Sequence, residues 1–250
     1  MAQRWPSTLW IVRHGQSAGN VARDLADEAG HARIELTARD VDVPLSALGE
    51  AQAAALGRWF ASLDAQPQAV LASPYLRAVT TAELISEAGG VPSEVTICRD
   101  ERLREKEFGI LDGLTTTGIA EHFPDQRALR QLLGKFYHRA PGGESWCDVI
   151  LRLRSVLDTI ALHHAGARVL IVAHQVVVLC MRYILEGQDE VGILAIDREA
   201  DVANCSVTEY AYDPGAGPWG GMRLVRYNDA SAAAEVAVTR AADPPVAARG

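Results

Sequence analysis

The sequence contains no long apolar run and no segment typical of a secretory leader. No hydrophobic stretch approaches the roughly 20 residues that a membrane-spanning helix needs. Residues 1–7 lack both a basic start and an apolar core. These absences predict a soluble protein of the cytoplasm that does not bind membranes.

Basic residues are too few to favour a polyanionic partner. The chain has 24 Lys and Arg residues against 32 Asp and Glu residues, so its formal net charge is −8 at pH 7. Nucleic acids and anionic membrane surfaces are bound by basic faces, and this balance argues against both. A small anionic substrate is still compatible with the sequence, because it responds to the few charges that line its pocket.

Cysteine is scarce and has no functional spacing. The four cysteines are far apart in the chain, with no pair at the spacing of a zinc site or a redox couple. They are Cys98, Cys147, Cys180 and Cys205. Reduced thiols are therefore expected. No other group of residues has metal-ligand spacing, so we predict neither a metal ion nor another cofactor.

The sequence does contain an alternation of short apolar runs and amphipathic stretches. Apolar runs at 9–12, 68–72, 95–98 and 168–173 predict strands, and so does the alternation of apolar and polar residues at 206–212 and 222–227. Helical spacing of apolar residues predicts helices at 46–62, from residue 75, at 146–164 and at 176–185. This alternation predicts the α/β class, as a three-layer α/β/α sandwich with a mostly parallel central sheet.

The 250 residues fit a single large domain, which we expect to span residues 1–228. Residues 110–143 are interrupted by glycine and proline, and we expect them to form an insertion of short helical pieces that covers the site. Residues 21–39 have no sustained periodicity and are expected to form an irregular loop at the pocket mouth. Residues 229–250 are rich in alanine and include Pro244 and Pro245, which predicts a disordered tail.

Two histidines directly follow two apolar strands. His14 lies between Arg13 and Gly15 after the first strand, and His174 follows the run at 168–173. Ligands bind at the carboxyl ends of strands in open α/β sheets, where backbone N–H groups favour anions. If the two strands are parallel neighbours, the histidines face each other. A histidine in a surface loop is the alternative for either residue taken alone.

An arginine in an unusual helical position is a second signal. Ser73 and Pro74 lead into a helix, which places Arg77 in its first turn. A cation there opposes the helix macrodipole unless a negative group lies close by. Arg77 is therefore a candidate for binding an anion, with a solvated side chain as the alternative.

Five short motifs occur in a definite order along the chain. They are Arg13-His14-Gly15, the turn Ser73-Pro74-Tyr75-Leu76-Arg77-Ala78, Glu105 before Phe108-Gly109, Gly143-Glu144-Ser145, and His174. Each is weak alone, but together they resemble the histidine phosphatase superfamily, in its phosphoglycerate mutase-like branch 1, over residues 8–212. The resemblance implies the fold predicted above and phosphoryl transfer through a phosphohistidine.

The resemblance also implies roles for individual residues. Phosphoryl transfer needs an in-line nucleophile, cations on the equatorial oxygens and a proton for the leaving group. The implied catalytic residues are His14 as nucleophile, Glu105 as proton donor, and Arg13, Arg77 and His174 on the phosphoryl oxygens. The implied phosphate-binding residues are Arg13, Arg77, His174 and Asn20, with contributions from Ser17 and Gln16.

The proton donor has competitors within its own charged segment. Glu105 matches the family's motif, and it must be shielded from water to hold a proton at neutral pH. Glu107 is the alternative, and Glu101 is a further neighbour. In the insertion, the candidate ligand contacts are Lys135, Tyr137, His138 and Arg139. The remaining histidines singled out, His31, His122, His163 and His164, are interpreted as structural.

Two departures from the family pattern bear on the reaction. Many members have glycine after the second histidine, whereas this chain has Gln175, as in the fructose bisphosphatase branch. The insertion is also shorter and less basic than expected of a cofactor-dependent mutase. We therefore expect a metal-independent phosphomonoesterase, a histidine acid phosphatase-type hydrolase of a small phosphorylated metabolite. The alternatives are a phosphoglycerate mutase-type phosphotransferase and an inactive module that binds phosphorylated ligands, and a homodimer is left open.

Overall fold

A six-stranded sheet forms the centre of the computed structural model, which describes residues 3–233 and 235–240. The strands are β1 (Thr8–Arg13), β2 (Ala69–Ala72), β3 (Ile97–Arg99), β4 (Arg168–Ala173), β5 (Val207–Asp213) and β6 (Gly221–Asp229). Their order across the sheet is β3-β2-β4-β1-β5-β6. β3, β2, β4 and β1 are parallel, and β5 pairs antiparallel with β1 and β6. The mostly parallel sheet is confirmed.

Helices cover both faces of the sheet. In the described residues they are α1 (Ala18–Glu28), α2 (Ala47–Ala61), α3 (Leu76–Glu87), α4 (Thr116–His122), α5 (Pro124–Tyr137), α6 (Trp146–His163), α7 (Gln175–Leu185) and α8 (Glu190–Glu199). Alternate residues of β1 point to opposite faces. Leu9 and Ile11 pack with α6 and α7, while Trp10 and Val12 pack with α2 and α3. This arrangement confirms the three-layer α/β/α sandwich.

The two central strands, β1 and β4, determine where His14 and His174 lie. Nearly every residue in them is buried, as expected of parallel strands that are covered on both faces. Each fully buried Ile or Val contributes about 1.5–3 kcal/mol through its removal from water. The register pairs Arg13 with Ala173, so the next residues, His14 and His174, leave the sheet side by side at its carboxyl edge.

The prediction of an irregular loop at 21–39 is wrong for its first part. Residues 18–28 form α1, which begins with a capping box. The Ser17 hydroxyl accepts from Asn20 N, and the Asn20 side chain accepts from Ser17 N. The segment has apolar residues at helical spacing, Ala18, Val21, Ala22, Leu25 and Ala26, although Leu25 is exposed and the buried positions include Asn20 and Arg23. The spacing and the cap were both available signals for this helix.

The predicted disordered tail is ordered in part. β6 continues to Asp229, and a 3₁₀ turn over Ser231–Ala233 buries Ala232 and Ala233 in the cluster that includes α2. Glu235 pairs with Arg58 at 2.9 Å, so the chain continues along α2. Alanine can pack closely against a helix, which explains the difference from the expectation. The rest of the predicted tail, from 241 onward, lies outside the described residues.

The segment 110–143 contains α4 and α5 and is interrupted by Gly134, whose φ of 77° breaks the helical geometry of α5. A left-handed conformation of this kind favours glycine, because it has no Cβ. The short helical pieces expected from glycine and proline are therefore present. Among the described residues, no helix is both long and apolar enough to cross a membrane.

Candidate active site

His14 and His174 lie face to face at the carboxyl edge of the sheet. Their ring centroids are 5.1 Å apart with an interplanar angle of 65°. Both side chains are fully buried. The juxtaposition predicted from two parallel neighbouring strands is therefore present.

The hydrogen bonds of His14 define its neutral tautomer. Nδ1 lies 2.7 Å from the Gly15 carbonyl oxygen, which can only accept, so Nδ1 carries the proton. Nε2 lies 3.3 Å from Nε of Arg77, which can only donate, so Nε2 presents a lone pair. The proton position is assigned from these partners. The arrangement leaves Nε2 in the form that a nucleophilic imidazole requires.

Arg77 is the second residue of α3, in the first turn as predicted. Its guanidinium donates to the Asp40 main-chain oxygen at 2.6 Å and to the Asp40 carboxylate at 3.0 Å. Asp40 belongs to the segment between α1 and α2 and supplies the negative charge that this helix position favours. Arg77 therefore joins the Asp40 carboxylate on one side to His14 Nε2 on the other, an arrangement that a planar guanidinium can span.

Arg13 is fully buried directly before His14. Its guanidinium donates to the Val202 carbonyl, in the segment between α8 and β5. The Arg13 carbonyl accepts from Cys205 N at 3.0 Å. Both contacts fix the end of β1 to the chain that enters β5, so Arg13 is held at the strand tip.

Three further predicted phosphate contacts have local structural roles. The Ser17 hydroxyl caps α1 and donates to Asn20 Oδ1 at 3.0 Å. Gln16 accepts from the Ser46 hydroxyl at 2.7 Å through Oε1. Asn20 and Ser17 are buried, whereas Gln16 is half-buried. The structure thus places all three next to His14 in sequence and in space.

Burial distinguishes Glu105, the proton donor that the family resemblance implies, from the neighbouring Glu107 and Glu101. Glu105 is fully buried, and its Oε1 accepts from Lys106 N at 2.7 Å. Glu101 is exposed, and the Glu107 side chain is 45% exposed. A carboxyl group that is to hold a proton must be removed from water. Of the three, Glu105 has the surroundings of a proton donor.

The Gly143-Glu144-Ser145 motif holds the segment that contains Glu105. Glu144 accepts from Arg104 and from Arg152, each at 3.0 Å through Oε1, and from Glu107 N at 3.1 Å. Burial would raise the pKa of Glu144, but its hydrogen bond and ion pair with Arg152 and its other donors hold that pKa below the ordinary value. Arg152 also donates to the Glu105 carbonyl at 3.2 Å. Sequence reasoning missed Arg152, which has no motif of its own.

The surroundings of His174 come from the neighbouring strand β2. Its Nε2 lies 2.8 Å from the hydroxyl of Ser73, the residue after β2. The Tyr75 ring lies 5.2 Å from the His174 ring, and the Tyr75 hydroxyl donates to Glu107 at 2.9 Å. Burial and then the Glu107 charge raise the pKa of Tyr75 well above its ordinary value, so the phenol stays neutral.

Lys106, which follows Glu105, lies close enough to two cations of α5, Arg130 and Lys135, for their charges to interact. Burial, and then the charge of Arg130, lower the pKa of Lys106 to about 8. Lys135 pairs with Asp197, and burial nevertheless lowers the pKa of Lys135. We call Lys106, Arg130 and Lys135 the cationic cluster.

The other insertion residues predicted to contact ligand lie in different surroundings. The pKa of His138 is lowered by burial and then by the charges of Arg130 and Lys106, which favours the neutral imidazole. Tyr137 is 53% exposed, and Arg139 pairs with Asp148 at 3.6 Å. Of the four candidates, Lys135 and His138 are therefore the ones that interact with the cationic cluster.

The loop after β1 is held by residues that the sequence did not single out. Gly15 N donates to the Thr81 hydroxyl at 3.1 Å, and the start of α2 lies directly against the loop. A Cβ on Gly15 would lie 2.4 Å from the Gly49 oxygen, so the contact requires glycine. Asp40, Gln52, Thr81 and Asn204 belong to this missed group, and no sequence signal identified them. Within the part of the chain described, no three His, Cys, Asp or Glu side chains are placed to hold a metal ion.

Several curated proteins are similar in sequence to this chain. Mouse 6-phosphofructo-2-kinase/fructose-2,6-bisphosphatase 1 is 30% identical over 176 residues, which is 70% of this chain and 32% of that protein. The chain thus spans about a third of the length of that relative. The probable phosphoglycerate mutase GpmB of Yersinia enterocolitica is 27% identical over 213 residues, covering 84% of this chain and 86% of that protein.

Solved structures agree with the sequence relatives. YhfR of Bacillus stearothermophilus is 26% identical, has a TM-score of 0.69, and the match covers 90% of this chain and 98% of that chain. A native mycobacterial glucosyl-3-phosphoglycerate phosphatase is 25% identical, has a TM-score of 0.68, and the match covers 89% and 99% of the two chains.

The sequence profile of the histidine phosphatase superfamily, branch 1, matches residues 9–229. That span extends from β1 to the end of β6 and includes both strand tips, Arg77 and Glu105. The match agrees with the facing histidines and with the phosphatases and mutases named among the similar proteins. This chain belongs to the histidine phosphatase superfamily, branch 1.

Proposed function

We propose that the protein is a metal-independent phosphomonoesterase that hydrolyses a small phosphorylated metabolite in the cytoplasm through a phosphohistidine. The state of the His14 ring carries the proposal. Nδ1 is tied to the Gly15 carbonyl, and Nε2 presents its lone pair toward Arg77. A buried imidazole fixed in this tautomer is prepared for nucleophilic attack.

In the first step, Nε2 of His14 attacks phosphorus, and the phosphorus–oxygen ester bond breaks. The guanidinium of Arg77 moves from Nε2 to the phosphoryl oxygens, which Arg13 and His174 also neutralise. The carboxyl group of Glu105 gives its proton to the leaving oxygen, so the product departs as an alcohol.

In the second step, water attacks the phosphorus of the phosphohistidine. Glu105, now a carboxylate, takes a proton from that water, and the phosphorus–nitrogen bond breaks. Inorganic phosphate leaves, and His14 returns to its starting tautomer. The hydrogen bond from Nδ1 to Gly15 holds the ring in the same orientation through both steps.

A second candidate function is a mutase that returns the phosphoryl group to bound product. The cationic cluster of Lys106, Arg130 and Lys135 favours this alternative, because it could hold a carboxylate or a second phosphate of a retained intermediate. The same cluster is compatible with a phosphatase whose substrate has two anionic groups. Hydrolysis is the preferred proposal because the insertion has few other basic residues.

The test is a screen of phosphorylated sugars, glycerates and nucleotides, measured as phosphate release with and without chelator. We expect release with a subset of these compounds, equal rates in chelator, and an acid-labile, alkali-stable phosphoryl group on the protein. The His14→Ala variant should show neither release nor labelling. Loss of activity in chelator, or labelling of His14→Ala, would contradict the mechanism. Activity that requires priming by a bisphosphoglycerate would favour the mutase instead.

A further inference from the structure

His14, Gly15 and Gln16, which we call the nucleophile loop, are held through their main-chain atoms. Asn204 Nδ2 donates to the His14 carbonyl at 3.0 Å. Gly15 N donates to Thr81, and Gln16 N donates to Gln52 Oε1 at 2.9 Å. The two amide side chains that act here, Asn204 and Gln52, are both almost fully buried. They therefore fix the backbone on either side of Gly15.

Each of these amides works in one orientation only. The His14 carbonyl requires the NH₂ group of Asn204, and Gln16 N requires the oxygen of Gln52. A flipped amide would place oxygen against oxygen at His14 or N–H against N–H at Gln16. Such a buried clash leaves two polar groups unsatisfied, which is costly. The position of the loop therefore depends on the group that faces the other end of each amide.

A hydroxyl group near the end of the described chain faces both amides. Thr239 Oγ1 donates to Asn204 Oδ1 at 2.9 Å and accepts from Gln52 Nε2 at 3.0 Å. A hydroxyl has one proton and two lone pairs, so it can make both bonds at once. The bonds turn the Asn204 oxygen away from His14 and the Gln52 NH₂ group away from Gln16. Both amides are thereby held in the orientation that the loop needs.

Hydrogen bonds to the main-chain oxygens of Thr239 and Ala237 hold the Thr239 hydroxyl in this position. Asn204 N donates to the Thr239 carbonyl at 2.9 Å, and Gln52 Nε2 also donates to the Ala237 carbonyl at 2.8 Å. Glu235 pairs with Arg58 on α2. We call residues 235–240 the strap. The strap lies behind the nucleophile loop, along α2 and the segment that enters β5.

We propose that Thr239 is a positioning residue for His14, acting through Asn204 and Gln52. The inference rests on the proposed function, in which His14 forms the phosphohistidine. Loss of the Thr239 hydroxyl removes the donor to Asn204 Oδ1 and one of the two acceptors of Gln52 Nε2, the other being the Ala237 carbonyl. The Asn204 amide can then flip and withdraw its NH₂ group from the His14 carbonyl, while the bond from Gln16 N to Gln52 is held less firmly. A displacement of about 1 Å at a reacting group can cost about 10²-fold in rate. The strap thereby couples the order of residues 235–240 to the rate of phosphoryl transfer.

The experiment compares Thr239→Val with Thr239→Ser in the full chain. Valine keeps the shape of threonine and removes both hydrogen bonds, whereas serine keeps the hydroxyl. We expect single-turnover phosphorylation of His14 by an aryl phosphate to slow about 10-fold or more in Thr239→Val, with KM little changed. Thr239→Ser should stay within about 2-fold of the parent. Thr96→Val, at an exposed site before β3, is the matched control.

A second readout does not depend on turnover. The ¹⁵N chemical shifts of the His14 ring report its tautomer, and we expect Thr239→Val to show a mixture where the parent shows one form. If the parent forms no phosphohistidine, the proposed function fails while this readout still tests the role of Thr239. If Thr239→Val does not fold, Gln52→Leu replaces it and should slow phosphorylation similarly. A folded variant with the parent's rate and the parent's ring shifts would overturn the proposal.

Discussion

β1 and β4 are parallel neighbours that end at the same edge of the sheet, but the segments that follow them differ. Both strands are buried and parallel, both end in register, and each is followed by a histidine. After β4 the chain enters α7 at once, with His174 at the N-cap. After β1 it forms the loop of Gly15 and Gln16 before Ser17 caps α1. The strand pairing places the two rings side by side, and the segments that follow the strands determine which chemistry each ring can perform.

The hydrogen bonds of the two rings carry this difference. His14 uses Nδ1 for a bond to its own loop and directs Nε2 to Arg77. His174 uses Nε2 for a bond to Ser73, on the neighbouring strand. One ring is thus fixed with a lone pair toward the cation, and the other is fixed by a hydroxyl that can donate or accept. Equivalent strand positions therefore do not imply equivalent chemistry.

Replacing each histidine in turn with asparagine should show the largest difference between the two strand tips. In His14→Asn we expect turnover to fall by at least about 10⁴-fold and the phosphorylated protein to disappear, because the nucleophile is lost. In His174→Asn we expect a loss of about 10²–10³-fold with phosphorylated protein still formed, because a donor to the phosphoryl oxygens is lost. Quenched-flow labelling measures both. Labelled His14→Asn together with unlabelled His174→Asn would reverse the two roles.

Glu105→Gln tests whether the proton donor lies outside both strand tips. We expect turnover of an alkyl phosphate to fall about 10²–10⁴-fold, because its leaving oxygen needs a proton. An aryl phosphate with an acidic leaving group should lose much less. Steady-state rates with the two substrates measure the contrast. Glu107→Gln is the matched control, and a larger loss there than in Glu105→Gln would move the assignment to Glu107.

Ser73→Ala removes a hydrogen-bond partner of the His174 ring and leaves the partners of the His14 ring in place. Removing the hydroxyl that faces His174 Nε2 should lower kcat about 2- to 10-fold, the range that one net hydrogen bond allows. The ¹⁵N shifts of the His174 ring should change, and those of His14 should not. Ser62→Ala, at an exposed position, serves as the control. A change confined to His14 would show that the two rings are not held independently.

Lys106, which lies outside both strand tips, should make KM depend weakly on pH. The pKa of Lys106 is lowered to about 8 by burial and the charge of Arg130, against the raising effect of Glu105. Below pH 8 its ammonium can therefore hold an anion, and above pH 8 this charge is lost. We expect KM for a phosphate ester that also has a carboxylate to rise about 2- to 5-fold between pH 7 and 9.

The control for this pH dependence is a matched ester without the carboxylate. The KM of this matched ester should not rise between pH 7 and 9. In Lys106→Met, the KM of the ester with the carboxylate should also stay constant over this range. If the rise persists in Lys106→Met, another group of the cationic cluster or of the strand tips is responsible.

Much of the fold could be predicted because its central strands are apolar along their whole length. β1 and β4 are recognisable from the sequence, and a parallel pairing then brings His14 and His174 together. The helix α1 was missed although its apolar residues between Ala18 and Ala26 recur at helical spacing, because the polar and charged residues between them are also typical of an irregular loop. Its capping box was visible in the sequence, so a search for caps would have found it.

The remainder of the site could not be predicted because it depends on contacts between distant polar residues. The family resemblance selected Glu105 over Glu107, but the full burial of Glu105 depends on packing that its neighbours in sequence do not reveal. Asn204 and Thr239 act through hydrogen bonds to residues far away in the chain. An alanine-rich segment indicates disorder by composition, yet here it comes directly after a strand and packs on a helix.

The pairing of β1 has a consequence for how the protein folds. Thr8 pairs with Arg168 on one side and with Ala211 on the other. The first strand therefore cannot form its sheet hydrogen bonds until the second half of the chain has reached it. Closing such long loops slows folding relative to forming local helices. During refolding, helical content should therefore return before catalytic competence, which appears only when the distant strands dock.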